Sequence, residues 1–305
     1  MTADTSRTGL LYGLGAYLMW GFFPAYWKLL QGVDSFEILA HRMVWSLGFV
    51  LAMLAARSNW RWIRQVRRQP RVIAVYAAAA CFLGVNWALY IWAVNAGHVV
   101  ETSLGYFINP LINVLFGAWL FGDRLRRPQL WAVGLAAAGV VYLTLMHGHP
   151  PWISLTLAVS FGIYGVLKKK GTLGAVEGLT LETAALFVPA LAWLLLLEHR
   201  GVGHFGHTDP RTTFLLAFTG VATALPLVMF AAGVRRLTLT TVGLLQYLAP
   251  TIQFLLGVYA YGEPFSRERL VGFALIWAGL LVYSGESLIN HRRTRRAAIV
   301  PFEAA

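Results

Sequence analysis

Long apolar runs alternate with short polar connections along the whole chain. Ten stretches stand out, at about 9–30, 35–56, 72–94, 101–121, 129–146, 152–167, 178–197, 212–234, 241–261 and 270–289. A helix rising 1.5 Å per residue needs about 20 apolar residues to cross about 30 Å of hydrocarbon, and these stretches match or approach that length. The sixth is the shortest, stopped by Lys168, Lys169 and Lys170. The first follows a short head containing Arg7 and outruns a signal core, with no small-residue cleavage site before polar sequence. It reads as a retained membrane span.

The runs repeat at a fixed register of 140 residues. Leu104, Pro110, Ile112, Leu115, Gly117, Gly122, Leu130, Leu135, Ala138 and Gly139 recur without a gap as Leu244, Pro250, Ile252, Leu255, Gly257, Gly262, Leu270, Leu275, Ala278 and Gly279. Upstream, Lys28 and Glu37 meet Lys168 and Glu177 at the same offset. The spacing divides the chain into a first unit of five spans (9–146), a second unit of five (152–289) and a basic tail (290–305).

Charge gives the orientation. With the N-terminus cytoplasmic, the inner side carries 19 of the 25 Lys and Arg. These are Arg7, six arginines at 57–71, Arg124, Arg126, Arg127, Lys168 to Lys170, Arg235, Arg236 and four arginines of the tail. The outer side carries Lys28, Arg200, Arg211, Arg267 and Arg269, and Arg42 lies within a span. That imbalance predicts N-in and C-in. Five spans per unit is odd, so the second unit enters the membrane from the opposite side and the duplication is inverted. Such an arrangement lets two related halves rock about a site between them.

Composition agrees: the chain is 58% hydrophobic and 12% charged, against about a quarter charged in a soluble domain. The net charge of +12 sits between the apolar runs, so it points to anionic lipid and not to nucleic acid. The single cysteine, Cys81, permits no intramolecular disulfide.

The runs "WGFFPAYWKLL" (20–30), "EILAHRMVWS" (37–46), "GVNWALYIWAVN" (84–95) and "SLGYFINPLINVLFGAWLFGDRLRR" (103–127) resemble the RarD branch of the EamA transporters, within the drug/metabolite transporter superfamily. The second half agrees in "FGIYGVLKKK" (161–170), "EGLTLET" (177–183) and "LQYLAPTIQFLLGVYAYGE" (245–263). The resemblance implies an all-α, ten-helix permease of the bacterial cytoplasmic (inner) membrane. It further implies two inverted five-helix EamA repeats and a central cavity lined by spans 1, 3, 4, 6, 8 and 9.

The fourth span places Tyr106, Asn109 and Asn113 at i, i+3 and i+7, on one face, with Pro110 interrupting the backbone ladder. The ninth repeats the device with Gln246, Tyr247, Pro250 and Gln253. The third adds Asn86 and Tyr90, and the first span of each half adds Trp20 and Tyr164. Amides near the bilayer midplane must bond to each other, to a neighbouring helix or to cavity water. They either glue helices together or line a substrate cavity, and their mirrored placement favours the cavity. Pro110 and Pro250 are the expected helix breaks.

Lys28, Glu37, His41 and Arg42 cluster around the outer ends of the first two spans, with Glu177 and Glu182 at the matching places in the second half. Arg42 lies about 10 Å into its span by helical rise, where a charge needs a partner or water. Two readings stand: an ion-pair staple at each mouth, or a gate or proton-coupling group. His98, His147, His149, His199, His204 and His207 read as solvated loop residues, so no metal or cofactor is expected. Small residues at Ala132, Ala136, Gly139, Ala274 and Ala278 suit close packing within the bundle, with a homodimer seam through spans 5 and 10 as the alternative.

No Walker-type loop, H-E-x-x-H or G-x-S-x-G motif is present, which argues against an ATPase or an intramembrane enzyme. The expected activity is secondary transport of small organic metabolites or drug-like molecules by alternating access, with proton coupling left open. The competing reading is a membrane scaffold or sensor that moves nothing.

Overall fold

The computed structural model describes residues 3–56, 60–122, 125–234, 236–237 and 239–299. Arg57, Arg124 and Arg235, counted above as inner-side cations, and residues 300–305 of the tail lie outside them. Among the described residues the regular elements are all helical. In chain order they are α1 (Ala3–Gly21), α2 (Phe23–Lys28), α3 (Ser35–Ala56), α4 (Arg61–Val66), α5 (Pro70–Asn95), α6 (Val99–Phe121) and α7 (Arg127–His147). The second half supplies α8 (Trp152–Lys170), α9 (Ala175–His199), α10 (Pro210–Val234), α11 (Leu239–Leu245), α12 (Leu248–Leu255), a π-helical turn (Leu256–Ala260) and α13 (Arg267–Ile299). The last helix therefore runs on through much of the basic tail expected after residue 289.

Eight segments among the described residues are long and apolar enough to cross a membrane: those in α3, α5, α6, α7, α9, α10, α13 and the stretch Thr241–Ala260. The other two expected spans take a different form. α8 has 19 residues and ends in three lysines, and the first stretch is divided by a turn at Phe22 into α1 and α2. Pro24 explains that division. It lacks an N–H and its ring crowds the carbonyl four residues back, that of Trp20. The surface confirms the solvent: Trp119, Trp131, Tyr259 and Leu281 are each more than 70% exposed. Large apolar groups covering the outside of a long bundle belong against lipid.

The larger helix contacts recur when the two halves are exchanged. α1 packs on α10 as α8 packs on α5, α3 on α10 as α9 on α5, and α12 on α1 as α6 on α8. Three pairs join counterpart to counterpart: α3 with α9, α6 with α12, and α7 with α13. Each of these three runs antiparallel. Gly139 of α7 faces the Gly272 carbonyl of α13, at 2.8 Å from a built Cβ, while Gly279 faces the Ala132 carbonyl at 2.6 Å. Gly257, just past α12, approaches Val99 and Val100 at the start of α6. Glu37, in the first turn of α3, bonds His204, just past α9.

The small residues of the fifth and tenth spans are thus used within the chain. Ala132, Ala136, Gly139, Gly272 and Gly279 let the α7 and α13 backbones touch, and a side chain at any of the glycines would meet backbone or a packed neighbour. The face that carries these glycines is buried within the chain, while Ala274 of α13 is exposed.

Of the two expected helix breaks, only one forms. α6 continues through Pro110, which is buried where α6 packs along α8. The ninth span is broken at Gln246 and Tyr247, where Pro250 leaves the Gln246 carbonyl without a helical donor.

Candidate functional site

The polar residues that matter most enter the interior from four helices. Asn86 of α5 is fully buried; its Nδ2 donates to the Leu157 carbonyl at 2.9 Å and to Ser160 Oγ at 3.0 Å, both on α8. Its Oδ1 accepts from the Tyr106 hydroxyl of α6 at 3.4 Å. Asn86 therefore ties three helices together. Tyr90 lies edge-on to Tyr106 at 5.6 Å between centroids, and Tyr106 in turn meets Phe161 of α8.

Gln253 of α12 shows why a proline matters. Its Nε2 donates at 3.0 Å to the Trp20 carbonyl, the acceptor that Pro24 deprives of its helical partner. The Trp20 ring lies against Tyr17 and Phe230. Several buried polar atoms around this region have no hydrogen-bond partner among the described residues. They include the Tyr90 hydroxyl, Asn109 Oδ1, Gln253 Oε1, Ser46 Oγ and Arg42 Nη1. Unpaired buried polar groups are rare in folded proteins and costly to keep, so each of them suits a polar ligand or water.

Other predicted site residues lie elsewhere. Asn113 is exposed and lines a pocket of about 490 Å³ with Arg126, Gln129 and Tyr283, at the end where α6 finishes. Tyr247 accepts from Ser284 Oγ at 3.4 Å, and Gln246 is half-buried in the turn beside it. Tyr164 donates to Glu182 at 3.3 Å. Along α6, Tyr106 is half-buried, Asn109 buried and Asn113 exposed, so the three run from the core out to one end.

The charged residues separate into three arrangements. Glu37 is 2% exposed, and its two carboxylate oxygens are 2.7 Å from the His204 backbone N–H and from His204 Nδ1. His41, expected to pair with Glu37, stays 4.0 Å away and packs on Phe205. Lys168 and Glu182 form an ion pair at 2.8 Å, with Lys168 also near the Tyr76 ring. Glu177 lies half-buried in the first turn of α9. Arg42 is buried with its guanidinium 3.6 Å from the Trp87 ring centre, flanked by Trp27 and Phe23, while Lys28 sits over Tyr261 instead.

Two residues that sequence reasoning passed over turn out to close one end of the bundle. His204 was read as a solvated loop residue, yet it holds Glu37. Glu263 is 8% exposed and accepts the Val99 and Val100 backbone N–H groups at 2.6 and 2.7 Å, capping the start of α6. Those donors are orphans of a helix N-terminus, where a carboxylate also meets the helix dipole favourably. The sequence does carry a signal for Glu263, since Gly262–Glu263 repeats Gly122–Asp123 at the 140-residue offset. Among the described residues no group of His, Cys, Asp and Glu could hold a metal ion.

The model of the EamA-like transporter family matches residues 7–145 and again 151–285. Protein RarD of Streptomyces exfoliatus is 51% identical over 96% of this chain and 93% of its own length. The uncharacterized transporter YojE of Bacillus subtilis is 43% identical, covering 92% of this chain and 95% of its own. Protein RarD of Escherichia coli is 39% identical, covering 97% of this chain and all (100%) of its own. A solved crystal structure aligns with a TM-score of 0.56 over 91% of this chain and 97% of that one, at 24% identity, a likeness that bears on the fold alone.

Proposed function

Because the chain belongs to the EamA-like transporter family, in its RarD branch, we propose that it moves small organic metabolites or drug-like molecules by alternating access. It is a multi-pass membrane transporter of the bacterial inner membrane. In the proposed form it has ten spans, with α1–α2 and α8 completing the eight longer ones. The two halves are inverted, N-in and C-in, and the cargo is held between them.

The observation that carries this reading is the exchange symmetry of the packing together with the antiparallel run of α3 with α9, α6 with α12 and α7 with α13. A bundle built that way has a second conformation in which each half takes the other's role, open to the opposite face. The interior polar atoms on α3, α5, α6 and α12 supply the binding chemistry, with Tyr90, Tyr106, Asn109 and Gln253 as its centre and Asn113 at one mouth. Glu37 and Glu182 are the carboxylates through which proton coupling would run, each already held by a cationic or ionisable partner.

The test is a stabilisation screen of the purified protein against metabolites and drug-like molecules, followed by flux of each hit in liposomes. Saturable flux that falls in Asn109→Ala and Gln253→Ala is the expected result. Hits that bind but never cross the membrane would refute the transporter reading, and flux untouched by both variants would move the site elsewhere.

A further inference from the structure

We propose that Arg42 is the counter-ion for a cargo bearing one carboxylate, so that the molecules moved are organic monoanions. The inference rests on the transporter reading and names the substrate class of that interior site.

Arg42 is 3% exposed in the middle of a bundle. Its Nε donates to Thr223 Oγ1 at 2.7 Å, and the Thr223 hydroxyl in turn donates a hydrogen bond to the Thr219 carbonyl at 2.8 Å. Nη1 is buried and has no partner. Among the described residues no carboxylate comes within 4.0 Å of the guanidinium; its neighbours are the rings of Trp87, Trp27 and Phe23. Aromatic faces stabilise a cation but do not neutralise it. A buried charge is retained only where something pairs with it.

The duplication shows what is missing. At the offset of 140 residues Arg42 corresponds to Glu182 and Lys28 corresponds to Lys168. In the second half those positions form a closed pair at 2.8 Å. In the first half both positions are cationic, and Lys28 turns to Tyr261. At these two matched positions the second half pairs its charges, and the first leaves Arg42 without a carboxylate partner among the described residues.

The geometry selects a carboxylate. With Nε engaged by Thr223, Nη1 is the buried donor left without a partner, and a planar carboxylate is the oxyanion that a guanidinium meets in its own plane. One cation offsets one negative charge, so a dianionic phosphate would be left with an uncompensated charge in a buried site. Two hydroxyls without partners, those of Ser46, one turn along α3, and Tyr90 of α5, can donate to the same anion. Asn109 Oδ1 and Gln253 Oε1 are acceptors for the polar remainder of the molecule.

The experiment uses the full-length purified protein and a fixed set of probes: benzoate, indole-3-acetate and hexanoate, each beside its own carboxamide, and inorganic phosphate. Binding is read from tryptophan fluorescence, to which Trp87 should contribute, and from thermal stabilisation. The expected result is saturable binding of at least one carboxylate, with its amide weaker by about tenfold or more. Arg42→Gln should lose that preference, and Arg42→Lys, which keeps the charge but loses the fork, should fall between. Should Arg42→Gln fail to fold, Arg42→Lys and Thr223→Val, which frees Nε, still report on the same site. No carboxylate preferred over its amide, a preference that survives in Arg42→Gln or is unchanged in Arg42→Lys, or phosphate competing equally would each overturn the proposal. Liposome flux of a neutral solute that ignores Arg42→Gln would sink this inference while leaving the transporter reading intact.

Discussion

The Lys168–Glu182 pair should respond asymmetrically to removal of its two members. Glu182 is 2% exposed and Lys168 28% exposed, at 2.8 Å, with the Tyr164 hydroxyl the other bond to the carboxylate at 3.3 Å. Lys168→Met strands a buried carboxylate, and breaking a buried pair in that way costs about 3–5 kcal/mol. The lysine's partial exposure puts this case at the lower end, about 3 kcal/mol. Glu182→Gln instead strands an ammonium that can reach water and still faces the Tyr76 and Tyr164 rings. Its loss should be about 1 kcal/mol. The double variant Lys168→Met/Glu182→Gln removes both charges, so it should lose about 2 kcal/mol less than the sum of the singles. Equilibrium unfolding in mixed micelles, with denaturing detergent titrated against a mild one, measures all four corners of the cycle. If the lysine variant is no worse than the glutamate variant, or the singles add, the pair is not a buried ion pair. Flux through the double variant then separates roles, because a staple can be replaced by neutral groups and a coupling carboxylate cannot.

Glu263→Ala leaves the Val99 and Val100 N–H groups buried without acceptors, for a loss of about 2–4 kcal/mol in the same unfolding assay. A loss below about 0.5 kcal/mol would mean water replaces the carboxylate there. His204→Ala removes the ring bonded to Glu37 and should cost about 1–2 kcal/mol in the same unfolding assay; an unchanged midpoint would deny the contact a structural role. Asp209 holds the Thr212 N–H and hydroxyl, which keep its carboxyl below the ordinary 3.8. That contribution is present above 3.8 and disappears as pH falls through the lower folded value, so Asp209→Asn should lower melting slightly at neutral pH and flatten the acid limb, where the carboxylate no longer contributes.

The membrane architecture was legible because span length and the 140-residue register are one-dimensional properties of the chain. The site was legible only in its residue types. Asn86, Tyr90, Asn109 and Gln253 were found because amides and hydroxyls inside apolar runs are conspicuous. Their partners were not, since Gln253 meets Trp20 across 233 residues and Arg42 meets Thr223 across 181. His204 looked like an ordinary loop histidine because the carboxylate it holds is 167 residues away. Pro24 has no counterpart at the 140-residue register, where Tyr164 stands, so the repeat does not mark it; yet it divides the first span and frees the Trp20 carbonyl.

The same symmetry constrains how the two mouths are linked. Glu37 sits in the first turn of α3 and is gripped by the connection that follows α9. Its counterpart Glu177 sits in the first turn of α9, at the opposite end of the same antiparallel pair, with its carboxylate beside Gly174. In the proposed alternating-access cycle, exchanging the halves would move the closure from Glu37 to Glu177. α3 and α9 pack along each other, with Leu54 near the end of one in the same core as Leu179 near the start of the other. A tilt that opens one end of such a pair narrows the other, because the packed middle acts as the pivot. Arg42 and Glu182 lie just inside those two ends, and they are where the symmetry fails. A cargo that neutralises Arg42 makes the first half resemble the second, with its Lys168–Glu182 pair already closed. Loading would then reduce the difference in energy between the two mouths, and a carrier needs its loaded form to cross between them.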